Sequence, residues 1–181
     1  MRRTIPAALA AFLLAAIPAS AEFYGGTERD AIALGGSLFY DTGSANGKDL
    51  SLEAHAGYYV LDAFLLGGSL AARNDDVADT YELALLGQYH FLNAFDPDND
   101  RPWGFSPYVG ARIGVARGKD AAESHWGALA GLRLGIDVFL TDNVVVDFAF
   151  DMTACSADVY PDDNELKNSD FTLRLGIDFH F

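Results

Sequence analysis

The last eleven residues of the chain, 171–181, alternate strictly between apolar side chains and side chains that are polar or small. Successive side chains on a β-strand point to opposite faces, so one face of this segment is entirely apolar. That face holds Phe171, Leu173, Leu175, Ile177, Phe179 and Phe181. In a soluble sheet, such a strand at the edge would promote aggregation. In a closed membrane barrel, lipid contacts the apolar face and a polar interior contacts the other, so the segment predicts a membrane-barrel strand.

The same period-two alternation recurs along the chain. It predicts strands at 30–40, 50–60, 64–73, 81–91, 108–115, 125–138, 144–153 and 171–181. Strands of about ten residues cross a bilayer when they are tilted by ~45°. The more apolar face of each strand is free of charge and is expected to contact lipid, whereas a soluble carrier barrel would turn its apolar face inward. We therefore predict an all-β fold, an eight-stranded antiparallel up-and-down transmembrane β-barrel.

The start of the chain has the features of an export signal. Arg2 and Arg3 precede an apolar run at 5–17, and Pro18 is followed by the small-x-small segment 19–21. The run is shorter than the ~20 residues that a membrane helix requires. We expect residues 1–21 to be a cleaved secretory signal peptide and residues 22–181 to form one barrel domain.

Charge and cysteine content exclude several functions. The formal net charge is −14, which argues against nucleic-acid binding, because that function requires basic patches. The lone Cys155 cannot form an intramolecular disulfide and is expected to be a small buried residue. The four histidines lack the spacing of metal ligands. We expect neither a cofactor nor a bound metal.

Connections between the predicted strands differ in length at the two ends of the barrel. Residues 60–63 and 140–143 predict tight periplasmic turns, and longer outer loops are expected at 41–48, 74–79, 119–124 and 157–170. The connection 92–105 is long although it falls at the periplasmic end. Its acids between Asp96 and Asp100 alternate as in a calcium loop, but the Gly and the distal Glu of an EF-hand are missing, so we expect a solvated turn.

Aromatic residues lie at the predicted strand ends, where side chains at headgroup level fix the height of a barrel in the bilayer. The outer set is Tyr40, Tyr81, Trp126 and Phe171, and the periplasmic set is Tyr58, Phe64, Tyr89, Phe91, Phe139, Phe179 and Phe181. Two such rings are expected to mark the boundaries of the membrane.

Charged side chains occupy many inward positions: Glu53, His55, Arg73, Glu82, His90, Arg112, His125, Arg133, Asp137, Asp147, Asp151, Arg174, Asp178 and His180. Eight strands leave an interior just wide enough for side chains to fill, so most of these charges must be paired. Counting from the turn at 140–143 places Arg133 opposite Ala149 or Asp151, and counting from the last loop places Arg174 level with Asp151. We predict a buried lumen charge network built on Arg133, Asp151 and Arg174. Arg112 lies one strand further round, Glu53 belongs to the same interior, and Arg73 and Glu82 are diagonal neighbours near the outer mouth.

The whole mature chain resembles the small outer-membrane β-barrel superfamily, of the opacity-protein and outer-membrane-protein-A transmembrane-domain kind. The resemblance is carried by the alternating strands, the export signal and the ending 171–181, since the final strand of these barrels ends in Phe. It implies location in the bacterial outer membrane and a monomer in contact with outer-membrane lipid and lipopolysaccharide. It also implies that Phe171, Phe179 and Phe181 form a signal read by the barrel assembly machinery.

Fold resemblance of this kind is weak evidence for activity. We expect a non-enzymatic barrel with a plugged polar lumen and a structural or surface-interaction role. One alternative is a narrow or gated ion-conducting pore, opened when ion pairs in the lumen exchange partners. A second is a lipid A-modifying enzyme using Ser124, His125 and Asp170, although the His-x-Ser spacing of the deacylases is absent.

Overall fold

The computed structural model describes residues 27–41, 49–75, 78–91, 104–119, 123–141, 143–162 and 165–181. These residues form β-strands joined by turns and loops. The strands are β1 (Ile32–Asp41), β2 (Asp49–Leu61), β3 (Phe64–Asn74), β4 (Asp79–His90), β5 (Gly104–Lys119), β6 (Ser124–Phe139), β7 (Val144–Cys155), β8 (Tyr160–Asp162), β9 (Glu165–Lys167) and β10 (Ser169–His180). Within the described ranges, no helix combines the length and the apolar composition that crossing a membrane requires.

Eight of the strands close into one antiparallel barrel in the order β1-β10-β7-β6-β5-β4-β3-β2. Neighbours in the chain are neighbours in the barrel, and β10 pairs with β1 to complete the wall. The two short strands β8 and β9 form a separate hairpin within the connection between β7 and β10. The predicted eight-stranded up-and-down barrel is confirmed.

The two faces of the wall have the predicted character except at Phe139 and Phe181, which were expected at the membrane boundary and are only 1% and 8% exposed. Side chains in β7 and β10 alternate regularly between buried and more exposed positions. The large apolar side chains that are exposed lie on the outward faces and include Leu83, Leu85, Ile113, Leu132, Leu173 and Ile177. Glycine makes room for large groups inside the barrel at two levels: a Cβ on Gly135 would lie 2.2 Å from the Tyr108 ring, and one on Gly35 would meet the Asp178 carboxylate.

Among the strand residues that the structure describes, the outward face carries charge at one place, near the outer mouth, which corrects the expectation of a charge-free surface. Strand β5 continues beyond the predicted end at Val115, and its register places Arg117 between Tyr81 and Trp126. Lys119 follows on the same face. The sequence pattern hid this extension because a basic residue interrupts the apolar alternation on which the strand was predicted.

The ends of the barrel differ in their connections. One end of the barrel holds the turn at Asp62 and Ala63, the start of β1 and the end of β10. The other end holds the connection 156–168 between β7 and β10. Ala63 adopts a left-handed backbone with φ of 63°. Several predictions fall outside the described residues and stay predictions: the signal peptide 1–21, most of the loop 41–48, the connection 92–103, and the side chain of Tyr40.

Candidate functional site: the charged lumen and its loop cap

A buried ion pair between neighbouring strands forms the centre of the lumen. Arg133 of β6 lies directly opposite Asp151 of β7, which is one of the two positions that counting from the turn allows. Its Nε lies 2.6 Å from Asp151 Oδ1, and its Nη2 lies 2.7 Å from Oδ2. Two parallel N–H donors on one carboxylate form the bidentate geometry in which arginine binds acids most strongly.

Arg174 of β10 joins the same carboxylate from the other side. The expected register is wrong by two residues, because Arg174 lies opposite Ala149 and Thr172 lies opposite Asp151. The long side chain spans this offset, and Arg174 Nε donates to Asp151 Oδ2 at 2.7 Å. Asp151 therefore accepts hydrogen bonds from two guanidinium groups.

Glu53 extends the cluster across the barrel. It stands on β2, and its carboxylate accepts a hydrogen bond of 2.9 Å from Arg133 Nη2. Arg112 Nη1 and Arg174 Nη1 each lie 3.6 Å from Glu53 Oε2. The contacts of Glu53 on β2 with the arginines on β6 and β10 could not be predicted from hairpin registers, because these strands are not neighbours in the barrel wall.

Arg112 links the cluster to a third acid. Its Nη1 lies 3.0 Å from Glu82 and 3.9 Å from Asp151, and its Nη2 donates to Thr153 at 2.5 Å. We name the set the lumen network; it comprises Arg112, Arg133, Arg174, Glu53, Glu82 and Asp151. Three cations face three carboxylates at short range in a buried interior, so the charges compensate one another.

Arg73 belongs to the outer mouth and stands apart from the lumen network. Arg73 lies opposite Thr80 on β4, so Glu82 is its diagonal neighbour. Its Nη1 nevertheless donates to Asp170 Oδ1 at 2.9 Å, while Glu82 pairs with Arg112. The structure thus separates these two residues into different ion pairs.

A second polar layer fills the lumen nearer the turns, and sequence analysis did not recognise it as a unit. Asp137 lies opposite Asp147, and Asp147 accepts a hydrogen bond of 2.8 Å from the Tyr108 hydroxyl. Asp178 lies 3.2 Å from His55 Nε2, and His55 Nδ1 lies 3.7 Å from Glu53 Oε1, so His55 links this layer to the lumen network. The cross-strand register between β6 and β7 is the signal that could have revealed the acid pair.

The connection between β7 and β10 folds inward over the mouth of the barrel. Val159 and Tyr160 are fully buried and pack against Ala84, Ala116, Leu129 and Cys155. The Thr80 hydroxyl donates to the Val159 carbonyl at 2.9 Å, and a Cβ on Gly118 would lie 2.6 Å from the same oxygen. Burial raises the pKa of the Tyr160 hydroxyl, and the neighbouring Glu82 carboxylate raises it further. We call Val159 and Tyr160 the loop cap.

Two of the three groups considered for catalysis, Ser124 and Asp170, bind other side chains. The Ser124 hydroxyl accepts a hydrogen bond from Arg117 Nη2 at 3.1 Å. Asp170 accepts from Arg73 and from the Thr172 hydroxyl at 2.5 Å. Among the residues that the structure describes, no group of three or more His, Cys, Asp or Glu side chains could hold a metal ion.

A closed eight-stranded barrel with an apolar outer surface and a charged interior has the architecture of the small outer-membrane β-barrels. Known structures agree with this fold. The N-terminal β-barrel domain of OprF from Pseudomonas aeruginosa is similar with a TM-score of 0.57 at 18% sequence identity, covering 84% of this chain and 98% of that one. Neisserial surface protein A (NspA) is similar with a TM-score of 0.53 at 17% identity, covering 83% and 94%.

These similarities concern the fold, since the sequences are distant. No protein-family model matches the chain, and neither does any curated protein sequence. The roles of the lumen network and the loop cap must therefore be argued from their own geometry.

Proposed function

We propose that this protein is a non-enzymatic outer-membrane barrel with a closed polar lumen and a structural or surface-interaction role. The lumen network is the observation that carries the proposal. It joins Glu53 on β2 to Arg133 on β6 and, through Asp151, to Arg174 on β10. Side chains from several parts of the wall thus meet in the interior and leave little space for a continuous water path.

Opening such a lumen has an energetic cost. An ion must pass groups whose charges already compensate one another, and any buried charge that loses its partner on the way is strongly destabilised. The loop cap adds a second barrier at the outer mouth, because Val159 and Tyr160 contribute apolar contacts above the charged layer. A rigid interior of this kind suits a protein whose outer surface and loops carry its role.

The partners that we propose are those of the outer membrane. Lipid and lipopolysaccharide would contact the outward face, and the barrel assembly machinery would read the aromatic ending. Phe171 is 68% exposed, whereas Phe181 is only 8% exposed and pairs with Ile32 in the closing seam. We propose that Phe179 and Phe181 act before the barrel closes, and that the folded chain is a monomer. A chain lacking Phe181 should then reach the outer membrane at reduced levels.

Ion conductance of the refolded mature chain in a planar bilayer tests the closed lumen. We expect the wild type to be silent and Asp151→Ala to admit current, because the variant leaves two guanidinium groups without their shared acceptor. Asp158→Ala is the matched control, since it removes an exposed acid from the connection that forms the loop cap. Steady wild-type channels would contradict the closed lumen. Silence of both variants would leave it standing, with the loop cap as a sufficient barrier.

One observation favours a gated pore as the second candidate. Arg112 lies within 4 Å of Glu53, Glu82 and Asp151, so it has alternative partners if the lumen network rearranges. Wild-type current that Asp151→Ala alters in size or selectivity would favour this reading.

A further inference from the structure

The outward face near the outer mouth carries the unusual positive charge described above. Among the barrel-strand residues whose side chains the structure describes, Arg117 and Lys119 are the basic ones on this face. The other basic strand residues, Arg73, Arg112, Arg133 and Arg174, point into the barrel and pair with acids. Lys119 lies opposite Asp79 of β4, so Arg117 is the cation on this lipid-facing surface that needs a different explanation.

The surroundings of Arg117 leave its guanidinium available to an outside anion. Its Nη2 donates to the Ser124 hydroxyl at 3.1 Å, and its Cζ lies 5.3 Å from the centre of the Trp126 ring. Its Nε is buried and has no hydrogen-bond partner among the described atoms. No carboxylate in the described part of the chain pairs with it. A guanidinium held over an aromatic ring, with no carboxylate partner among the described residues, is preorganised to bind a phosphate.

The level of Arg117 on the wall is that of the lipid headgroups. It lies in the cross-strand row Tyr81, Arg117, Trp126, and both aromatic side chains are at least half exposed. Aromatic residues of this kind mark the boundary between hydrocarbon and water. The row lies at the loop end of the barrel, which in an outer-membrane barrel is the extracellular end.

The wall below this row is apolar and shaped to receive hydrocarbon. The next row contains Leu83, Val115 and Ala128, and the one after it contains Leu85, Ile113 and Ala130. A groove of about 920 Å³ is lined by Leu83, Leu85, Ile113 and Val115 of these rows and by Leu70 of the neighbouring strand β3. A cation above an apolar groove matches a molecule with an anionic head and acyl chains.

We propose that Arg117, supported by Lys119 and Trp126, binds the phosphate of an outer-leaflet lipid A molecule, whose acyl chains lie in the groove below. The outer leaflet of an outer membrane supplies lipid A at this height, and a phosphate monoester accepts the two parallel hydrogen bonds that arginine offers. This site rests on the proposed contact between the outward face and outer-membrane lipid. It does not depend on whether the lumen is closed.

The test measures lipid retained by the folded protein. The mature chain is reconstituted into phosphatidylcholine nanodiscs containing a minor share of diphosphoryl lipid A, and the bound lipid is identified by native mass spectrometry after detergent release. We expect wild type to retain lipid A and Arg117→Gln to retain it about tenfold less, which is ~1.4 kcal/mol. Arg117→Lys should fall between them, because it keeps the charge without the planar fork.

Arg29→Gln is the matched control, since it removes the same charge from an exposed position at the turn end. Heat-modifiable mobility in gels verifies that every variant is folded. Equal retention by wild type and Arg117→Gln would overturn the proposal, and so would an equal loss in Arg29→Gln. Displacement of lipid A by millimolar inorganic phosphate or by phosphatidylglycerol would also overturn it, because the site would then bind any phosphate.

An independent readout uses Trp126 itself. The chain has two tryptophans, so in a Trp103→Phe background the emission reports Trp126 alone. Lipid A should shift this emission in wild type and leave it unchanged in Arg117→Gln. An identical shift in both proteins would mean that the ring senses the bilayer without the cation, which contradicts the proposed site.

Discussion

Leu132 and Arg133 are neighbours in one strand and show how different the two faces of the wall are. Leu132 is 52% exposed on the outside, whereas Arg133 is 1% exposed in the lumen and bound to Asp151 and Glu53. In a soluble protein the arginine would face solvent and the leucine would be buried. Here the polar groups are enclosed and the apolar groups are outside, because the surrounding solvent is lipid. Charges are tolerated inside because they are paired, and the outside is compatible with lipid because it carries almost no charge.

The largest effect is expected when a charge is removed from the inside of the barrel. Asp151→Ala leaves Arg133 and Arg174 without their shared acceptor, and breaking a buried pair costs about 3–5 kcal/mol. Urea unfolding of the protein in lipid vesicles, followed by tryptophan emission, measures the loss. Asp158→Ala removes an exposed acid and should leave the midpoint unchanged. A loss for Asp151→Ala below ~1 kcal/mol would mean that the lumen network contributes little to stability.

The converse test adds a charge to the outside. Leu132→Arg places a guanidinium near the middle of the membrane, which costs roughly 2–4 kcal/mol in an outer-membrane barrel. The same unfolding measurement reports it, and Leu132→Met serves as the apolar control. An unchanged free energy of unfolding would contradict the assignment of this face to lipid.

The smallest effect separates packing on the two faces of one strand. Leu86 is buried inside the barrel and Leu85 is exposed outside. Replacing either with Ala loses the transfer free energy of the removed carbons, but only the inner site retains a cavity, since lipid chains can close the outer one. We expect Leu86→Ala to cost more than Leu85→Ala by roughly 1–2 kcal/mol. Equal losses would show that the inner wall relaxes as freely as lipid does.

Much of the fold could be predicted because a strand in a membrane barrel must alternate at every residue. The same rule gives Arg133 and Asp151 as partners, since a tight turn fixes the register of its hairpin. The register predicted for Arg174 is wrong because its strand follows the long connection 156–168. The β8–β9 hairpin in this connection changes the number of residues by which the two barrel strands are offset. The outward position of Arg117 was not predicted, because a charged residue interrupts the apolar alternation from which the strand was inferred.

The loop cap could not be predicted for a different reason. Period-two alternation describes residues in the wall, while Val159 and Tyr160 are buried by the return of a connection over the mouth. The contacts between Glu53 and the arginines across the barrel could not be predicted from this alternation either, because their strands are not adjacent. Sequence pattern therefore identifies which side chains enter the lumen and leaves their distant partners to the structure.

The loop cap also makes the opening of the outer mouth measurable in the unmodified protein. Cys155, the single cysteine of the chain, packs with Val159 and Tyr160 and is 8% exposed. A water-soluble thiol reagent can reach that sulfur from outside only while the connection lifts away. The rate at which the thiol of the native protein is alkylated, with no residue changed, therefore measures how often the loop cap moves away from the mouth of the barrel.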